Sequence, residues 1–254
     1  MKFLKSIIFS FLLFQIFSCQ SSVPGMAGTT PPSHQTWDQL LKANVSSTGI
    51  VDYKGFIKEK AKLEQYLKLI SENAPDRKTW SKQEQLAYWI NAYNAFTVKL
   101  IVDNYPVKSI RDLGPSLKIP LIKDVWHYKF FKIGGVESSL DEIEHSILRK
   151  EFEEPRIHFA VNCASVSCPP LLNEAFIASK LEAQLNKVAS GFINDSSRNK
   201  ITADNAQISS IFSWFKGDFT KKGSLIDFLN LYSKVKIKPS AKISHLDYNW
   251  NLNE

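Results

Sequence analysis

The chain predicts an α+β fold, with a single domain in which a small, mainly antiparallel sheet packs on a buried central helix and the helices around it. Three observations lead there. One long segment, Ser81 to about Asp103, carries apolar residues at helical spacing, and several shorter segments show the same period. Short stretches of β-branched and aromatic residues lie between them without regular alternation. Apolar residues make up 44% of the chain and aromatics 12%, enough for a sizeable core.

In chain order, "WDQLLKA" opens a helix near Trp37, and "KGFIKEKAKLEQYLKLISEN" brings Leu63, Tyr66, Leu67 and Ile70 onto one side. The central helix starts at a capping box, Ser81 with Glu84. Leu86, Trp89, Ile90, Tyr93, Phe96, Leu100 and Ile101 form its apolar stripe, and Pro106 ends it. A second capped helix begins at Ser139 with Glu142 and buries Leu140, Ile143, Ile147 and Leu148. A third, "SKLEAQLNKVASGFIND", is expected to be capped by Ser179 and Glu182, and a fourth is "SLIDFLNLYSKV". Strand-like pieces are "VWHYKFFKI" with turn glycines Gly134 and Gly135, "RIHFAVN", "KITAD", "AQISSIF" and "AKISHLDYNW".

The N-terminus reads as an export signal. Lys2 and Lys5 precede an apolar run from Ile7 to Phe17, too short to span a bilayer as a mature helix. It ends in "IFSC", which resembles a bacterial lipobox, so Cys19 is the expected lipidation site and residues 1–18 the signal peptide. Residues 19–36 then form the lipidated cysteine and a Gly/Pro/Ser/Thr-rich tether, and residues 37–254 the folded domain. Extended, residues 20–33 would reach about 45 Å. This places the protein in the cell envelope with the membrane as a partner through acylated Cys19. Gln20, by resemblance to other lipoproteins, points to the periplasmic face of the outer membrane. The formal net charge is +7, but the lysines are scattered and no basic run is interleaved with aromatics, so nucleic acid is not an expected partner.

Three segments could carry chemistry. On the central helix, Asn91 and Asn94 share one side. They are read first as hydrogen-bond hubs that tie loops to the helix, and second as the lining of a polar cleft. In "SLDEIEHSILR", Glu144 falls within the apolar stripe, so its carboxylate points inward and needs a partner, which Arg149 or Arg156 could supply. It is either a structural tie or an acid–base group, and His145 adjoins it. In "RIHFAVNC", strand alternation puts Ile157, Phe159 and Val161 on a core face and His158, Ala160 and Asn162 on a cleft face, with Cys163 where strand gives way to loop.

Cys163 and Cys168 leave three chemistries open. In an oxidising compartment they could form a disulfide that shapes the turn. Alternatively Cys163 is a nucleophile activated by His127, His145 or His158 and oriented by Glu144 or an asparagine, which requires its thiol within hydrogen-bond reach of a histidine. The third is a metal site, for which the spacing His-x4-Cys-x4-Cys offers no evident fourth ligand. No metal and no cofactor is expected.

Taken together, Trp89–Ala95 ("WINAYNA"), Ser139–Arg149, Pro155–Pro170 ("PRIHFAVNCASVSCPP") and Leu246–Asn253 ("LDYNWNLN") resemble the family called domain of unknown function 547. Its bacterial members are often exported, and its name states that its activity is not established. The resemblance carries over Asn91, Asn94, Glu144, His145, Arg156, His158, Cys163, Ser165 and Cys168. Ala164 stands where family members often have glycine. A buried polar helix followed by a histidine also resembles the papain and transglutaminase-like architecture, an analogy of fold alone.

The leading functional expectation is an envelope lipoprotein acting as a thiol-type hydrolase or transferase on amide or ester bonds. Its catalytic residues would be Cys163, His158 and Glu144, with Asn91, Asn94, His127, His145, Arg156, Asn162 and Ser165 in binding roles. The alternative is a non-catalytic module that binds a peptide, a glycan or another envelope protein, with Cys163–Cys168 as a structural disulfide. A metal-dependent hydrolase is the third.

Overall fold

A computed structural model describes residues 30–114 and 124–254. The expected signal peptide, Cys19 and the expected tether up to residue 29 lie outside the described residues. Four helices open the fold: α1 (Gln35–Asn44), α2 (Tyr53–Lys58), α3 (Lys60–Glu72) and α4 (Lys82–Asn104). The segment read as one helix around Leu63 is split at Glu59, but Leu63, Tyr66, Leu67 and Ile70 are all buried as expected. The α4 capping box forms: Ser81 Oγ accepts from the Glu84 backbone N–H, and Glu84 accepts from the Ser81 N–H. Burial runs almost all round α4 rather than along one stripe, so it is the axis of the domain.

A hairpin follows, β1 (Phe131–Ile133) and β2 (Val136–Ser138), antiparallel with Lys132 opposite Glu137. Its turn residues Gly134 and Gly135 have φ of 59° and 81°, the pair of positive values that a two-residue hairpin turn requires and that glycine adopts without strain. The hairpin packs on the central helix through Phe131, whose ring stacks on Phe96 at 3.8 Å.

The helix capped by Ser139 and Glu142 is present, but from Glu142 to Leu148 it is a π-helix, with the Arg149 N–H bonded to the Glu144 carbonyl five residues back. It then continues as α5 (Arg149–Glu151). The next segment corrects the sequence reading: residues 157–160 form a single helical turn, α6 (Ile157–Ala160), not a strand. Glu154 accepts from the Arg156 N–H and starts the turn, and all four of its residues are buried, so there is no solvent-facing side for strand alternation to describe.

Helix α7 (Leu181–Ile193) follows a short 3-10 turn, Ala178–Lys180. The Ser179–Glu182 cap does not form there, because the Glu182 carboxylate is taken by Arg156. Strands β3 (Lys200–Ile201) and β4 (Asn205–Ile208) then pair antiparallel, and α8 (Ile211–Trp214), α9 (Lys216–Phe219) and α10 (Leu225–Tyr232) come next. Strand β5 (Lys242–His245) joins β4 in parallel to complete a three-stranded sheet, β3–β4–β5. The strands thus form two small sheets, and the larger one packs through Ala206 and Ile208 into a second apolar cluster with Phe159, Phe192, Phe212 and Phe228. The first cluster is built around α1–α4. Beyond β5 the C-terminal tail runs back across the domain: the Val166 N–H bonds the Asn251 carbonyl, and Val51 N–H the Asn253 carbonyl. Among the described residues no helix is long and apolar enough to cross a membrane.

Candidate active site

The two clusters meet at a cavity of about 350 Å³. Tyr93 and Val161 contribute to its lining from the first cluster, Ile211 and Phe215 from the second, and Glu144, His158 and both cysteines border it.

His158 is the most constrained of these. Phe215 stacks on its ring at 3.9 Å, and Phe219 meets it edge-on at 5.3 Å, which fixes the ring plane. Its Nε2 lies 2.8 Å from Asp218 Oδ2 on α9. The His158 hydrogen bond, and after it the Arg149 guanidinium, hold the Asp218 carboxyl well below the usual carboxylate range against the opposing effect of burial. An ionised carboxylate only accepts, so Nε2 carries the proton that it receives. Among the described residues, Nδ1 is left buried without a hydrogen-bond partner, 4.0 Å from Glu144 Oε1.

Glu144 is buried, as the sequence placed it, but neither arginine pairs with it. Arg149 Nε donates to Asp218 at 2.6 Å and Nη1 to His145 Nδ1 at 2.7 Å. Arg156 is taken by Glu154, Glu182 and Asn186. The π-helical segment carries Glu144 and His145 to the cavity side by side. Above Glu144 sits Tyr93, whose hydroxyl is held protonated well above the usual phenol range by burial and then by the Glu144 charge.

The cysteines occupy a loop pinned from several sides. Asn162 Nδ2 donates to the Pro169 carbonyl at 2.7 Å, and its Oδ1 accepts from the Ala164 N–H at 2.9 Å. Arg198 donates to the carbonyls of Cys168 and Val166 at 3.0 and 2.8 Å. Ala164 has φ of 57°, a left-handed conformation that accounts for the preference for glycine there. Both cysteines are free, with their sulfurs 2.7 Å apart. Cys163 Sγ also lies 3.3 Å from Ser165 Oγ and from the Tyr248 hydroxyl, and among the described residues no histidine is one of its partners. Burial opposes its ionisation, yet the bonds from Cys168, Ser165 and Tyr248 bring its thiol below the ordinary value. Burial and the neighbouring Cys163 push Cys168 the other way.

At the rim, His127 Nδ1 lies 2.7 Å from Asp124 Oδ1, and its Nε2 lies 3.4 Å from Asp141 Oδ1. His145 Nε2 faces the same Asp141 oxygen at 3.6 Å. The opposite wall is aromatic: Trp250 stacks with Trp214 at 5.8 Å, with Tyr248 at 4.5 Å and Trp126 at 5.7 Å around it.

Of the residues chosen from sequence, Glu144, His127, His145, His158, Cys163 and Cys168 border the cavity, and Asn91, Asn94, Arg156, Asn162 and Ser165 are not in its lining. Asn91 exchanges hydrogen bonds with the backbone of Phe176 (2.7 and 3.0 Å), and Asn94 with Ala160 O and Asn162 N (2.9 and 2.8 Å). Both are the hubs that the first reading expected, and neither lines the cleft. Asn162 clamps the cysteine loop, Ser165 is fully buried behind Cys163, and Arg156 belongs to an ion cluster away from the cavity. The sequence reading missed Asp218, Tyr93 and the tail aromatics Tyr248 and Trp250. Tyr93 is spaced as part of the core stripe and so carries no separate signal, whereas the period-two spacing of Tyr248 and Trp250 in "LDYNWNLN" is an available one. For Asp218, a lone acid in "FKGDF", there was none. Among the described residues no three His, Cys, Asp or Glu side chains are grouped to hold a metal ion.

No curated protein and no solved structure matches the chain. A family model described as protein of unknown function, DUF547, matches residues 77–193, from just before α4 to the end of α7. That span holds Asn91, Asn94, Glu144, His158 and the cysteine loop, while Asp218 and the aromatic tail lie beyond it. This segment, and not the whole chain, is what matches the DUF547 family.

Proposed function

We propose that the cavity is the reaction centre of a thiol-type hydrolase or transferase acting on amide or ester bonds, in a protein tethered through acylated Cys19 to the periplasmic face of the outer membrane. The observation that carries this reading is the state of His158: oriented through Nε2 by Asp218, clamped by Phe215, and unpartnered at Nδ1 beside a cavity that also contains Cys163. An imidazole held so is a positioned acid–base group.

Cys163 is the nucleophile in this scheme. Its ionisation rests on the hydrogen bonds from Cys168, Ser165 and Tyr248 in place of the histidine that the sequence reading required. The Cys163 thiol gives its proton, directly or through solvent, to His158 Nδ1; the thiolate sulfur then attacks the carbonyl carbon, the C–N or C–O bond breaks, and the leaving group takes that proton from Nδ1. In the second step Nδ1 accepts a proton from water or an acceptor alcohol or amine as the acyl–sulfur bond breaks. The aromatic wall and the Asp124, Asp141 and Glu144 carboxylates favour a substrate with an apolar or sugar face and donor groups.

The test is mass spectrometry of the full chain after incubation with aryl esters, peptide amides and cell-wall fragments. An acyl adduct on Cys163, and turnover lost about 1,000-fold in both Cys163→Ala and His158→Ala, is the expected result. A ligand that binds unchanged, with no adduct and with affinity lost in Trp214→Ala, supports the binding-module reading, which the aromatic wall favours.

A further inference from the structure

We propose that Cys163 and Cys168 form a redox-active dithiol, in which Cys163 attacks a small disulfide entering through the aromatic cavity and Cys168 resolves the product. This is a separate activity: it needs two sulfurs and no acyl step, so it does not rest on the hydrolase reading.

The geometry divides the roles. Cys163 is half-buried at the cavity wall, whereas Cys168 is 4% exposed and lies behind it. An entering disulfide therefore meets Cys163 first. The two sulfurs are 2.7 Å apart, and a formed bond is about 2.05 Å, so closure needs well under 1 Å of movement. The loop between them has little freedom to separate them. Asn162 ties its two ends, Arg198 holds two of its carbonyls, and the tail carbonyls of Asn251 and Asn249 accept from Val166 and Ser167. Two hydroxyls, from Ser165 and Tyr248, stand 3.3 Å from Cys163 Sγ, where they can stabilise negative charge on sulfur. The directions in which the two thiols are shifted, Cys163 down and Cys168 up, agree with an attacking and a resolving member.

The Cys163 thiolate attacks one sulfur of R–S–S–R′, the S–S bond breaks, and R′–S⁻ leaves. Cys168 then gives up its proton and attacks Cys163 Sγ, displacing R–S⁻, and a Cys163–Cys168 disulfide remains. The protein loses two electrons and two protons, and the small disulfide becomes two thiols.

The test uses the reduced full chain, freed of reductant and mixed with 2-hydroxyethyl disulfide, a probe small enough for the cavity. Peptide mapping by mass spectrometry then separates Cys163 and Cys168 from Cys19. In the wild type the expected product is the intramolecular disulfide, formed without accumulation of a mixed disulfide. Cys168→Ser should trap the probe on Cys163, and Cys163→Ser should slow reaction at Cys168 by about tenfold or more. Circular dichroism of each variant separates loss of exchange from loss of fold. Probe trapped on Cys168, or a wild-type mixed disulfide that does not close, would overturn the proposal. So would a Cys163–Cys168 bond that dithiothreitol opens only on unfolding, which would make it a structural clip.

Discussion

His158 and Asp218 stand 60 residues apart in the chain and meet at 2.8 Å, with a third group, Arg149, on the same carboxylate oxygen at 2.6 Å. The carboxylate therefore has two donors on one side, and the histidine has its second nitrogen free on the other. Removing the charge while keeping the shape tests what this does. Asp218→Asn can present its amide nitrogen to His158 and reverse the tautomer. Turnover should fall by about 100-fold or more while substrate affinity changes little, and an equal loss in KM alone would mark Asp218 as a binding group.

The same carboxylate gives a pH dependence. Its folded value is depressed, so its contribution to stability is complete above the ordinary carboxylate range and is lost as pH falls through and below that range. Wild-type stability should thus decline more steeply on acidification below about pH 4 than that of Asp218→Asn, which has no proton to take up there. Urea midpoints across pH 5 to 2.5 check this, and parallel curves would contradict it.

Asn94 and Asn91 offer a matched pair. Each is buried on α4 and satisfies one backbone N–H and one carbonyl of a crossing segment, but Asn94 holds the stretch between His158 and Cys163, and Asn91 holds Phe176. Either change to Ala leaves two buried groups unpaired and should cost about 2–4 kcal/mol in urea unfolding. Only Asn94→Ala should also alter the alkylation rate of Cys163. Equal rates in the two variants would show that the segment is held by its other contacts.

These asparagines also show what the sequence could and could not convey. A polar residue inside an apolar helical stripe must be satisfied, and that rule alone located Asn91, Asn94 and Glu144. It did not identify the partners of the two asparagines, because Ala160, Asn162 and Phe176 arrive from elsewhere in the chain. The helical turn at residues 157–160 was misread as strand because β-branched and aromatic residues there serve burial on every side, not a two-faced sheet. Local periodicity reads a surface, and this segment has none. Asp218 stayed hidden for a related reason: its role is set wholly by tertiary contact.

Ala164 carries a left-handed backbone with its methyl fully buried. Ala164→Gly relieves the backbone strain but frees the unfolded chain, so the net change should stay within about 1 kcal/mol. Ala164→Val adds a β-branched side chain where neither φ nor space allows it, and should cost about 2 kcal/mol or more. Both are read by urea unfolding. A neutral valine variant would mean that the loop can relax to an ordinary φ.

His34 lies just ahead of α1, with its Nδ1 2.8 Å from the Tyr66 hydroxyl. Burial keeps the Tyr66 phenol protonated, so it donates and the imidazole must accept, which only an unprotonated Nδ1 can do. Burial accordingly lowers the His34 pKa from 6.5 to about 4. The unfolded chain then takes up the proton first as pH falls. The contribution is complete above pH 6.5, declines below it, and is fully lost by about pH 4. Between pH 7 and pH 5 this should remove about 1–2 kcal/mol. His34→Gln keeps an acceptor for Tyr66 without a titrating ring, so over that interval its stability should be flatter with pH than the wild type's. Identical slopes would mean that His34 is protonated in place, with Tyr66 turned to accept from it.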